Sequence, residues 1–213
     1  MSMTPPDRRS RKRLATRQGI SDVATRLFWE RGFDKVTIDE IAAAADVGRM
    51  TVFNHFPRKE DLFFDREDEG RETLREALRQ RDPAISPVET LRLLAHQLVA
   101  QQSPYLSFSP AGQSFIDTIM GSEALKARAR AIRDELAQVV AVGLSECVGR
   151  DAGDADAHLA ADLLLATWTV AFIQAHRAFR LRQDARKAKA TFLAIVDQGH
   201  VGLEAAMAGT PYV

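Results

Sequence analysis

An all-α fold is what this sequence predicts, and three observations predict it. Apolar side chains recur at three- and four-residue spacing along most of the 213 residues, helix start and stop signals punctuate those stretches, and strand patterns are nowhere indicated. A hydrophobic content of 46% is enough for a real core in a chain of this length.

Taken in order, residues 1–13 (MSMTPPDRRSRKR) hold five basic side chains, two prolines and almost nothing apolar, which predicts a disordered basic arm. From Leu14 to Arg31 the spacing of Ile20, Val23, Ala24, Leu27 and Phe28 predicts a helix, and Gly32 stands where a terminating glycine belongs. Thr37 and Glu40 form a capping-box pair: the hydroxyl accepts from the Glu40 amide and the carboxylate reaches back to the Thr37 amide. A helix is therefore expected from about Ile38, with Ile41, Ala42 and Ala45 on one face. The alanines Ala42 to Ala45 keep that face thin.

At Asp46-Val47-Gly48 the pattern stops, and Asp is among the few residues that tolerate a left-handed exit. The next helix is expected from Arg49 to about Phe56. Val52 and Phe56 point inward, which leaves Arg49, Met50, Thr51, Phe53, Asn54 and His55 facing outward or sideways. The shape is a helix-turn-helix. Its second helix has a short polar face with donors at the N-terminal end, as insertion into a major groove requires. A three-helix domain over 14–60 follows, with a core of Leu27, Phe28, Phe33, Ile38, Ile41, Val52 and Phe56.

Pro57 restarts the chain as a fourth helix running through the charged stretch DREDEGRETLREALRQ to about Arg81, weakened at Gly70. Residues 61–213 are read as a second helical domain. Helices are expected at 87–102, at 113–120 after the broken stretch SPYLSFSPAG, at 122–148, at 155–182 and at 185–208. The last two carry more apolar surface than one antiparallel pair needs: Leu163, Ala166, Val170 and Ile173 on one, Phe192, Ile195, Val196, Gly199, Gly202 and Leu203 on the other. That surplus predicts a homodimer through the two C-terminal helices.

Charge is divided between the two halves. Residues 1–60 hold 12 of the 29 basic and 8 of the 29 acidic side chains, so the segment with the helix-turn-helix is net +4 and the remainder −4. No uninterrupted apolar run nears 18 residues and no leader pattern is visible, so a cytoplasmic protein with no membrane contact is expected. The single cysteine, Cys147, excludes an intrachain disulfide and reads as a buried structural thiol. No nucleophile elbow, phosphate loop or HExxH pair is present. His55, His96, His158, His176 and His200 lie scattered without metal-ligand spacing, so no catalytic residue, metal site or cofactor is assigned.

The segment from Gly32 to Leu62 resembles the DNA-binding domain of the TetR family of transcriptional regulators. The resemblance rests on Gly32-Phe33, Thr37-Ile38, Ile41-Ala42, Ala45, Val47, Thr51-Val52-Phe53-Asn54-His55-Phe56, Pro57, Lys59 and Leu62. Three positions depart from the family pattern: Asp46 replaces the usual Gly, Met50 a small residue, and Phe53 a Tyr whose hydroxyl would meet a phosphate. The resemblance implies a regulator, most often a repressor, that binds a palindromic operator in double-stranded DNA as a homodimer. It also implies release by an unidentified, lipophilic small-molecule effector bound in the C-terminal helical ligand-binding and dimerisation domain.

On DNA, Arg49 suits bidentate contact to guanine and Asn54 comes next; Met50 suits a thymine methyl and Thr51 a base or phosphate. Thr37, His55 and Lys59 are expected to position phosphates, and Phe53 is the least secure contact. For the effector, Trp168, Phe172 and His176 share one helical face, and Phe108, Gln113, Phe115, Ile119 and Met120 come from the broken central region. The competing readings are a helical protein-binding adaptor, an activator-type regulator and, with least support, an all-α enzyme.

Overall fold

The computed structural model describes residues 7–213, which form ten α-helices and two single 3-10 turns with no strand among them. Two compact units result. The first reaches to Arg66 and takes in a short later segment, Gly121–Leu125; the second is made of Glu67–Met120 and Lys126–Val213.

The first unit contains α1 (Arg8–Arg31), a 3-10 turn (Phe33–Lys35), α2 (Ile38–Ala44), α3 (Arg49–His55) and α4 (Lys59–Phe63). The Thr37–Glu40 box forms in both directions, with Glu40 N donating to Thr37 Oγ1 at 3.2 Å and Thr37 N to Glu40 Oε2 at 2.8 Å. Asp46 takes the left-handed conformation (φ 53°) that turns the chain from α2 into α3, and Gly32 does the same service after α1 (φ 86°). Ile20, Ala24, Leu27, Phe28, Phe33, Val36, Ile41, Val52, Phe56 and Leu62 are buried in its core, while Ile38 is only half-buried. Ser122, itself buried, donates to Asp34 Oδ1 at 2.9 Å and fixes the later segment within this unit.

Two expectations need correction here. The basic arm is not disordered throughout: α1 begins at Arg8, capped by Asp7, whose Oδ1 accepts from Ser10 N at 2.6 Å. Arg and Lys are good helix formers, so a helix anchored at Ile20 and Ala24 extends outward through them without needing a core of its own. Residues 1–6 lie outside the described residues. The expected single helix from Pro57 to Arg81 is two helices, α4 and then α5 (Glu67–Arg79). The break has a cause: the Asp65 carbonyl accepts from Arg17 Nη2 at 3.2 Å, and Ser21 donates to the Asp65 carboxylate, so the end of α4 is tied to α1. Phe63 packs on Phe28 and Phe33 at centroid distances of 6.3 and 5.9 Å and holds the same end down.

The second unit contains α5, α6 (Pro87–Ala100), a 3-10 turn (Pro104–Leu106), α7 (Pro110–Gly121, whose last residue belongs to the first unit), most of α8 (Glu123–Cys147), α9 (Ala155–Arg182) and α10 (Ala185–Ala206). One core gathers Leu74, Leu91, Val140, Leu144, Leu164 and Leu203. A second gathers Ala95, Phe108, Ala175, Phe179, Phe192 and Val196. An antiparallel pair forms from α9 and α10, and Gly199 makes their close approach possible, because a Cβ there would overlap the Thr167 side chain.

Phe192, Val196 and Leu203 are thus buried within the chain's own pair and are not surplus surface for a partner, as the sequence suggested. The exposed apolar stripe lies on α9, at Leu159, Leu163, Val170 and Ile173. Among the described residues α9 is also the one helix long and apolar enough to cross a membrane, and a third of that apolar window is buried inside the chain. Cys147 is half-buried and donates to the Leu78 carbonyl at 3.5 Å.

Candidate nucleic-acid interface

α3 is a two-faced helix. Val52 is fully buried on its inner side and Phe56, its C-cap, is fully buried beneath it. Arg49, Met50 and Asn54 stand exposed on the other side, and Thr51, Phe53 and His55 lie half-buried at the flanks. This is the division that the spacing of Val52 and Phe56 predicted. Arg17, which the sequence did not single out, clamps the far end of the helix. Its Nη1 donates to the His55 carbonyl at 2.6 Å, and its guanidinium sits 4.0 Å over the Phe56 ring.

Arg49 extends from the first turn of α3 and is met by Asp39 from the first turn of α2. Nη1 donates to both carboxylate oxygens, at 2.9 and 2.8 Å, with both side chains more than half exposed. The same guanidinium lies 5.5 Å from the Phe53 ring centroid. Phe53 therefore serves Arg49 as a neighbouring aromatic face and, lacking a hydroxyl, offers no hydrogen bond to phosphate.

The three residues expected to position phosphates fare differently. Thr37 is exposed and spends its hydroxyl on the cap. The His55 imidazole is held below its ordinary value, first by burial and then by the neighbouring charges of Arg13 and Arg17. The shift favours the neutral form. Lys59 departs furthest from expectation. Its Nζ donates to the Phe33 carbonyl at 2.5 Å and lies 4.3 Å from the Phe33 ring centroid, so the half-buried side chain is turned toward the protein. Burial lowers its pKa.

Lys59→Ala is accordingly expected to lower stability by about 1.5–3 kcal/mol, the worth of a charge-assisted bond to a partly buried carbonyl. Thermal unfolding checks this; an unchanged melting temperature, with a reduced salt slope for DNA binding, would return Lys59 to the phosphate contacts.

Glu40 carries the clearest acid dependence in this unit. Its carboxyl is held down to about 2 by the Thr37 amide, then by the Arg31 guanidinium and the Thr37 hydroxyl. The depressed value means that the stabilisation is complete above the ordinary 4.5 and is lost as pH falls through about 2. Wild type and Glu40→Gln should differ in melting temperature at neutral pH and converge across that window; a constant difference would contradict the cap's charge dependence.

In the second unit the residues named for an effector come together only in part. Phe108 lies 5.1 Å from the His176 ring and 6.4 Å from Phe172, and Phe172 lies 4.5 Å from His176. Phe192, assigned by sequence to a dimer face, completes the cluster at 6.2 Å from Phe108. Burial pushes the His176 pKa down to about 4, so the ring is neutral. Gln113 is buried and donates to Asp117 Oδ1 at 3.0 Å. Gln113 Oε1 and His176 Nδ1 are buried without a hydrogen-bond partner among the described residues. Phe115 and Ile119 are half-buried, whereas Met120 is exposed. Trp168 packs at the junction of the two cores and borders a separate small cavity with Arg92, Val196 and His200. No cluster of three His, Cys, Asp or Glu side chains able to hold a metal is present among the described residues.

Comparison with known proteins places this geometry. The family profile of bacterial regulatory proteins, tetR family, matches residues 20–65. The HTH-type transcriptional regulator AcrR of Shigella flexneri is 50% identical over 48 residues, which are 22% of this chain and 22% of that protein. The match therefore spans less than a quarter of that relative's length.

Among solved structures, a Mesorhizobium loti protein described as a TetR-family transcriptional regulator superposes with a TM-score of 0.56 at 20% identity, covering 91% of this chain and 97% of that one. FadR of Thermus thermophilus, a TetR-family repressor solved with lauroyl-CoA, gives a TM-score of 0.51 at 25% identity, covering 86% and 94%. The relatives that match are transcriptional regulators and not enzymes. Residues 20–65, with their capped α2, left-handed turn and outward-facing α3, match the DNA-binding domain of the tetR family of bacterial regulatory proteins, and the whole chain shares its fold with solved structures described as TetR-family regulators.

Proposed function

We propose that this protein is a cytoplasmic transcriptional regulator acting mainly as a repressor, which binds a palindromic operator as a homodimer and leaves it when a small lipophilic effector binds the second unit. The observation that carries the reading is the disposition of α3: Arg49, Met50 and Asn54 are exposed together on the side opposite Val52 and Phe56. Such a helix offers a guanidinium, an amide and an apolar tip to base edges, while the adjoining Arg13 and Arg17 supply positive charge near its C-terminal end. Two copies are needed to reach successive major grooves, about 34 Å apart on a palindrome.

Selection from random duplex DNA tests this directly. The full-length protein is expected to enrich an inverted repeat whose half-sites lie a whole number of helical turns apart; enrichment of no sequence would reject the reading.

The effector is assigned to the neighbourhood of Phe108, Phe172, His176 and Phe192, an aromatic cluster beside two polar atoms, Gln113 Oε1 and His176 Nδ1, that lack partners. An apolar molecule carrying one hydroxyl or carbonyl group matches that lining. A thermal-shift screen should begin with lauroyl-CoA, the ligand of the Thermus protein, and proceed to smaller lipophilic alcohols and ketones. A ligand that binds only the folded state raises the melting temperature. Such a ligand should also lower affinity for the selected duplex, since the two sites are linked.

A further inference from the structure

We propose that Asp39 is a positioning residue for sequence recognition: it fixes one edge of the Arg49 guanidinium so that the other edge is presented, already oriented, to a guanine. The inference rests on the reading of α3 as a DNA-reading helix and adds to it a residue that does not itself touch a base.

Arg49 has five N–H donors in a planar fork, and the two oxygens of Asp39 are both served by Nη1, at 2.9 and 2.8 Å. That leaves the Nε–Nη2 edge, which carries two parallel donors, unoccupied by the carboxylate. Guanine presents O6 and N7 side by side in the major groove, and a pair of parallel donors is what reads them. A lone arginine on an exposed helix must lose its rotamer freedom on binding, and it meets phosphates as readily as bases. Held by Asp39 at one edge and lying over the Phe53 ring at 5.5 Å, Arg49 loses less freedom on docking. The carboxylate also sets a negative charge beside the guanidinium, which disfavours a phosphate as its partner.

The contact joins residues ten apart in sequence, one in the first turn of each helix of the motif, so it is made only once the turn at Asp46 is folded. Both partners are more than half exposed, and an exposed ion pair contributes little to stability.

The test uses full-length protein and the duplex obtained by selection from random DNA. Wild type, Asp39→Asn, Asp39→Ala, Arg49→Ala and the Asp39→Ala/Arg49→Ala double variant are titrated with that duplex and with duplexes substituted at each guanine. Thermal unfolding confirms that each variant is folded. The expected result for both Asp39 variants is a loss of discrimination of about two- to fivefold, confined to the guanine that Arg49→Ala also stops distinguishing. The double variant should lose no more than Arg49→Ala alone. Three results would overturn the proposal: unchanged discrimination in both Asp39 variants; tighter binding to every duplex with discrimination intact, which would make Asp39 only a competitor of DNA; or additive losses in the double variant. Failure of the wild type to select any sequence would instead remove the DNA-reading function beneath it, so the two failures are told apart.

Discussion

Phe56→Ala is expected to remove about 3–5 kcal/mol from the first unit, the usual cost of emptying a large buried aromatic site. Phe56 is fully buried, its amide closes the last turn of α3 on the Val52 carbonyl at 2.8 Å, and the Arg17 guanidinium rests on its ring. A unit of some sixty residues has about 3–9 kcal/mol of stability to lose. The substitution therefore takes between a third and all of it, and loosens the surface that α3 presents. Amide hydrogen exchange separates this from a general collapse. Protection in α2 and α3 should fall by two or more orders of magnitude, while amides of α9 and α10, whose core is built from other residues, keep theirs. Undiminished protection in α3 would show that Arg17 and Val52 suffice to anchor it.

What the sequence made legible was local. The capping box of Thr37 and Glu40 spans three residues, the left-handed exit at Asp46 depends on one, and the inward pair Val52 and Phe56 is one helical turn apart. Each is fixed by backbone geometry that neighbouring residues determine, so spacing alone reveals it. The contacts that spacing did not reveal join distant residues: Arg17 with the His55 carbonyl, Lys59 with the Phe33 carbonyl, Asp65 with Arg17 and Ser21. A lysine in a polar stretch carries no local sign of whether its ammonium meets water or a carbonyl 26 residues earlier. The same reason accounts for the split between α4 and α5. Nothing in DREDEGRETLREALRQ forbids a continuous helix; the interruption comes from side chains of α1 that reach the end of α4.

The aromatic cluster of the second unit was legible at Phe108, Phe172 and His176, but Phe192 was not placed there. On a helix as apolar as α10, periodicity cannot say which of two apolar sides meets α9. The Gly199 backbone against Thr167 decides that, and it leaves Phe192 and Val196 inward.

That orientation of α10 sharpens the expectation for assembly. With Phe192, Val196 and Leu203 spent inside the chain, most of the apolar surface that this helix pair offers a second copy is on α9: Leu163, Val170 and Ile173, with Ala166 between them, exposed at alternating spacings of three and four residues, whereas α10 adds Val201. Ile173 is 54% exposed in the single chain, so Ile173→Asp adds a solvated carboxylate there and should leave the melting temperature of a monomer nearly unchanged. In a dimer packed through α9 the same carboxylate would be buried without a partner, at a cost of about 3 kcal/mol or more, which weakens dimerisation by over a hundredfold. Sedimentation at micromolar concentration should therefore find a dimer for wild type and a monomer for Ile173→Asp. Affinity for the full palindrome should fall toward that for an isolated half-site, because a single α3 can occupy only one major groove at a time. A wild-type monomer, or an Ile173→Asp protein that still sediments as a dimer, would remove α9 from the assembly and leave two recognition helices with nothing to set their spacing.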